Sequence, residues 1–114
     1  MIYFYLKTDG EHWAIETQKP IDLELLQGLT AGGGCVEMQT IGNVTLCMDE
    51  EARHKESPIN PFYAGYEILG DVLIGVMRPG KDGREFVGLD EFDATVVERQ
   101  IRNKKLPNVC GAKE

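Results

Sequence analysis

A chain of 114 residues, 42% hydrophobic and 27% charged, has the length for one domain around a single core and too much apolar content for a disordered segment. Its 19 acidic and 12 basic residues leave a formal net charge of −7. That balance argues against direct nucleic-acid binding, which needs clustered Lys and Arg to displace phosphate counterions. It suits a basic groove on another protein, as a DNA-mimicking inhibitor uses, or simply keeps a small protein soluble.

At the start, Ile2, Phe4 and Leu6 alternate with Tyr3, Tyr5 and Lys7. The apolar run is too short for a signal peptide and reads as a strand. Asp9-Gly10 then turns the chain into His12–Thr17, an antiparallel partner with Trp13 and Ile15 on one face and His12 as an exposed strand-end residue. After Pro20, Asp22 is placed to cap a helix near residues 22–31 whose inner positions are Leu25, Leu26 and Leu29. Gly32-Gly33-Gly34 follows that helix and opens a strand, so it reads as a C-cap and hinge; a phosphate loop has the opposite order and an adjacent Lys.

Val36 and Met38, then Val44, Leu46 and Met48, keep a period of two around Gly42-Asn43. Placing both apolar sets on one side of a hairpin requires an odd loop, so three loop residues, Ile41-Gly42-Asn43 with Asn43 left-handed, are expected. Cys47 then faces away from the main core, a thiol with no neighbouring His or Arg to activate it. Cys35, Cys47 and Cys110 form no C-x-x-C pair, and the expectation is reduced thiols, no intramolecular disulfide and a cytoplasmic setting. No run approaches the ~20 apolar residues of a membrane span, so no membrane association is expected.

Asp49-Glu50-Glu51 with His54 is the one cluster resembling a site, but three consecutive side chains at a strand end cannot all converge on a cation. No metal and no cofactor are expected. Ser57-Pro58-Ile59-Asn60-Pro61 is a rigid turn in which Asn60 is suited to cap the short helix that Pro61 opens. As a cap alone, Asn60 should tolerate Asp or Ser and lose about 1 kcal/mol on replacement by Ala. Phe62, Tyr63 and Tyr66 then cover the sheet or a ligand. Ile68 to Met77 is apolar on both faces except at Asp71 and should be the central strand, with Gly70 and Gly75 marking a bulge or a close backbone approach. A turn over Pro79–Gly83 leads to a last strand at Glu85-Phe86-Val87, and Asp90 caps a closing helix near residues 90–104 with Phe92, Val96 and Val97 inward. Pro107 should stop it, with a frayed tail after Asn108. The fold class is α+β: a single compact domain, an antiparallel or mixed sheet of five to six strands, two main helices and one short helix.

The order Gly33-Gly34-Cys35-Val36-Glu37-Met38, Asp49-Glu50-Glu51, an Asn60-Pro61 helix start containing Ala64, and Gly70-Asp71-Val72-Leu73-Ile74-Gly75 resembles a family of small uncharacterised proteins of bacteriophages, prophages and mobile elements, over roughly residues 30–90. The resemblance implies an accessory role in a bacterial host, with no activity or ligand to carry over. Glu50, Asn60 and Asp71 are the polar positions expected to converge near the helix start, with Tyr63 and Tyr66 beside them as ligand- or partner-binding candidates. The leading reading is a non-enzymatic protein that binds a host protein, as an inhibitor of a host defence system would, or sequesters a small molecule. A sequestering oligomer would gather Tyr63 and Tyr66 with Arg53 or Arg78. The alternatives are a small metal-assisted enzyme using the acidic cluster near His54, and a structural virion component.

Overall fold

The structure, a computed structural model, describes residues 1–81, 83–103 and 106, together with the backbone but not the side chain of Ala64. Readings that fall on Asp82, Lys104, Lys105, Pro107, Cys110 and the tail after Asn108 lie outside the described residues. Among the described residues six strands form one antiparallel sheet: β1 (Ile2–Leu6), β2 (His12–Glu16), β3 (Val36–Ile41), β4 (Val44–Asp49), β5 (Val72–Gly80) and β6 (Gly83–Val87). Their order is β2-β1-β5-β4-β3, with β6 paired to β5. Helix α1 (Leu23–Ala31) covers one face, while α2 (Glu91–Arg102) and a 3-10 helix (Pro61–Tyr66) cover the other. The radius of gyration, 13.2 Å, is that of one compact body of this length, for which about 13 Å is expected.

The strand alternation separates two cores. Phe4, Leu6, Val44, Leu46, Val72 and Ile74 point toward α2 and join Tyr63, Ile68, Leu89, Val97 and Ile101. Tyr3, Cys47 and Leu73 point the other way and join Ile21 and Leu26 beneath α1 and Phe86 from β6. Because β5 feeds both cores, Val72, Leu73 and Ile74 are fully buried, and β5 sits between β1 and β4. It starts at Val72 rather than Ile68; Leu69 instead bridges to Ile59, and Gly70 turns the chain with φ 83°. At its far end it runs through Pro79 to Gly80, so the hairpin to β6 is tighter than the Pro79–Gly83 turn expected.

Both helices begin where their caps stand. The Asp22 carboxylate accepts from the Leu25 N–H at 2.9 Å, and the Asp90 carboxylate from the Asp93 N–H at 2.8 Å. Gly32 closes α1 with φ 61°, and the Gly33 N–H donates back to the Gln27 carbonyl. The inward stripe of α2 is Ala94, Val97 and Ile101, not the expected Phe92, Val96 and Val97: Phe92 is 76% exposed. On α1, Leu26 is buried while Leu25 is exposed.

The β3–β4 hairpin departs from expectation. Ile41 pairs with Val44, so the loop is the two residues Gly42-Asn43, and the positive φ, 68°, belongs to Gly42. An even loop puts Val36 and Met38 opposite Asp49 and Cys47, on the α1 side, while Val44, Leu46 and Met48 face α2 across from Ile41, Gln39 and Glu37. The expected single apolar face is therefore replaced by a strand β4 buried along all six residues, since a one-residue change of register exchanges the faces. Cys47 does face away from the larger core, but it is covered by α1 rather than exposed.

Candidate functional site

The five candidate residues do not form one site. Asn60 is completely buried and fully engaged: its side-chain Nδ2 donates to the carbonyls of Leu6 (3.0 Å) and Gly70 (2.9 Å), and its Oδ1 accepts from the Phe62 N–H (3.0 Å). It caps the 3-10 helix, as expected, and also clamps the end of β1 to the turn before β5. Asp71 accepts from the Thr8 N–H at 2.8 Å and lies 3.5 Å from the Lys7 ammonium, which it holds in its charged form so that the Lys7 pKa is raised. Tyr63 belongs to the larger core; burial, with a smaller contribution from Tyr66, pushes its phenol pKa up, and its hydroxyl has no partner among the described residues.

Glu50 and Tyr66 do meet. They line a hollow of about 210 Å³ between the α2-facing side of the β3–β4 hairpin, the turn after β4 and the segment leading into β5. Glu37 and Gln39 contribute from β3, Arg53 from the turn and Glu67 from beside Tyr66. Four carboxylates, Glu37, Asp49, Glu50 and Glu67, border the hollow. Asp49, however, is buried and held by Lys55 at 2.8 Å, with Lys55 also donating to the Ala31 carbonyl, so one acid serves to tie β4 to the end of α1. Glu67 is the hollow-lining residue with a left-handed backbone: its φ of 55°, matched outside the hollow by Glu56 at 56°, costs a non-glycine residue about 1 kcal/mol or more.

The acidic cluster Asp49-Glu50-Glu51 disperses. Asp49 turns inward to Lys55, Glu50 lines the hollow, and Glu51 turns outward to His54 at 3.0 Å with both side chains largely exposed. Among the described residues no group of three His, Cys, Asp or Glu is placed to hold a metal ion. Of the two arginines expected near the aromatics, Arg53 shares the hollow with Tyr66, whereas Arg78 lies exposed on the β5–β6 ribbon. Glu37, Gln39 and Glu67 escaped the reading of the sequence as site residues. Glu37 and Gln39 gave a signal in their alternation with Val36 and Met38, but Glu67 gave none, because only the folded chain brings it to β3.

Neither described cysteine has a nucleophile's setting. Cys35 is exposed; Cys47 is buried beneath α1, where desolvation raises its pKa to about 11, opposed by a contact with the Thr30 hydroxyl at 3.9 Å. Alkylation at pH 8 is therefore expected to modify Cys35 in the folded protein and Cys47 only after denaturation, with peptide mass spectrometry reading each site. Equal labelling of both in the native protein would contradict the burial of Cys47.

The sequence matches no family model, and no curated protein or solved structure is similar to it. Fold and site together define a small antiparallel α+β domain with an acidic hollow at one end of its sheet. Among the described residues no helix is long and apolar enough to cross a membrane.

Proposed function

We propose that the protein is a non-enzymatic binding module whose hollow, lined by Glu37, Glu50, Tyr66 and Glu67, receives a cationic segment of a partner protein. The observation that carries this reading is Glu67, held in a left-handed backbone with its side chain at a hollow where carboxylates outnumber Arg53. A strained residue persists when the surrounding fold over-determines it, and such residues gather at binding sites. Tyr66, 47% exposed, offers an aromatic face for the stem or head of a Lys or Arg. The net charge of −7 would steer a basic partner toward the surface. In the setting the family resemblance suggests, the bacterial cytoplasm of a phage or mobile-element host, that partner is a host protein, and a defence component is a fitting target for an accessory gene product.

A short oligolysine peptide tests the site, followed by amide chemical shifts. The expected result is saturable movement centred on Glu37, Glu50, Tyr66 and Glu67, weakened about tenfold by Glu50→Gln combined with Glu67→Gln, which is ~1.4 kcal/mol. Glu67→Gly separates binding from folding: glycine accepts the left-handed conformation, so stability should hold or rise by up to about 1 kcal/mol while peptide affinity falls. Shifts spread evenly over the acidic surface, without saturation, would sink the reading. The same hollow, with Tyr66 beside Arg53, also suits an anionic aromatic small molecule; preference for such a compound over the peptide would move the function to sequestration.

A further inference from the structure

The geometry points to a second interaction surface, unrelated to the acidic hollow: the free edge of β2, which we infer pairs with β2 of a second copy of this chain. In the β1–β2 ladder the Lys7 N–H donates to the Glu11 carbonyl, and Met1 and Thr17 exchange both of their bonds. Hydrogen-bonded pairs alternate along an antiparallel ladder, so the odd-numbered residues of β2 spend their backbone groups on β1. The N–H and C=O groups of His12, Ala14 and Glu16 therefore point outward along an edge that is unpaired among the described residues, the arrangement that recruits another strand.

The sequence of this edge is self-complementary. Two antiparallel copies centred on Ala14 place His12 opposite Glu16 and Trp13 opposite Ile15. The first couple joins an imidazole to a carboxylate in a hydrogen-bonded pair. The second falls at a non-hydrogen-bonded pair, where side chains approach most closely. Trp13 is 56% exposed and stands with Tyr5, Lys7 and Ile15 around an open apolar hollow, which a partner's Ile15 would cover. Of the other outer strands, β6 pairs with β5 alone, and β3 lies beside the carboxylates of Glu37, Glu50 and Glu67, so pairing two copies at β3 brings like charges together. A five-residue strand pair is a small interface, and a weak, concentration-dependent dimer is the expected form.

Sedimentation equilibrium from about 1 μM to about 1 mM, the range of weak association, reads the outcome. The wild-type chain should rise from one-chain to two-chain mass. Ala14→Pro removes an outward N–H that β1 does not use, so it should melt like the wild type and remain single at every concentration. If that variant fails to fold, a charge exchange takes its place. His12→Glu sets two carboxylates opposite each other and should weaken dimerisation at least tenfold, whereas His12→Glu combined with Glu16→Lys restores it. Both forms lose the edge-on contact of His12 with Phe62, 5.9 Å between rings, so their difference isolates the intermolecular pair. A one-chain mass throughout, or a dimer indifferent to the charge exchange, overturns the inference.

Discussion

Asn60→Asp is expected to cost roughly 3–5 kcal/mol at neutral pH, enough to unfold much of a domain whose total stability is about 5–15 kcal/mol. The two side chains have nearly the same shape, so the effect is one of donors and charge. Asparagine gives two N–H donors to the carbonyls of Leu6 and Gly70; a carboxylate in the same place sets oxygen against oxygen at 3.0 and 2.9 Å, completely buried. Losing each buried hydrogen bond costs about 1–3 kcal/mol, and the unpaired charge adds to it. Serine keeps an acceptor for the Phe62 N–H but cannot reach both carbonyls, so Asn60→Ser should fall between Asp and wild type. The pH dependence has a definite sign. Buried against the carbonyls of Leu6 and Gly70, the introduced carboxyl has a raised folded-state pKa, so its deficit against wild type is smallest below about pH 4 and grows as pH rises through that folded value. Urea midpoints measured across pH would read both effects. A wild-type midpoint for Asn60→Asp at pH 7 would show that the two donors contribute nothing.

Gly75→Ala should lower stability by about 3 kcal/mol, the upper range for overfilling a packed core. A Cβ on Gly75 would lie 2.6 Å from the Val87 carbonyl oxygen and 2.6 Å from the Phe86 ring. Neither neighbour gives way readily: one is strand backbone, and the other is a buried ring 5.8 Å from the ring of Tyr3. Gly28→Ala serves as the control. It lies within α1 with nothing within 4 Å of its Cβ, and the same one-carbon addition should stabilise by about 0.5–1 kcal/mol. Opposite signs from one substitution would establish that Gly75 is required for close approach rather than for flexibility. Equal effects would refute that.

These contrasts mark what was legible in the sequence. Asp22, Gly32 and Asp90 define helix ends through bonds to residues three to six positions away, so local reading located both helices to within two residues. The two-faced apolar run at β5 announced a covered central strand for the same reason. What depends on distant partners was hidden. Val36 and Met38 look alike whether they face α1 or α2, and a single loop residue decides between them. Phe92 reads as core by its apolar character yet is 76% exposed. Asn60 announced its cap, but the two further bonds that make it indispensable involve Leu6, 54 positions earlier, and Gly70. The hollow was half visible: Glu50 and Tyr66 were singled out, while Glu37 and Glu67 become its neighbours only through the hairpin and a left-handed turn.

The position of β1 has a consequence for how the chain is made. It is synthesised before the other strands described, yet its inner neighbour is β5, where Phe4 meets Ile74, and its beginning is finished by Leu89 bridging to Ile2. While a ribosome extends the chain, β1 and β2 can form only a two-stranded hairpin, which is marginal alone in water. The apolar flank of Phe4 and Leu6 stays uncovered until β5 emerges, and the larger core lacks Val97 and Ile101 until α2 follows. Such non-local closure slows folding and prolongs exposure of unpaired strand edges. Termination anywhere before Leu89 thus releases an open sheet for chaperones and proteases to handle, never a smaller working version of the domain.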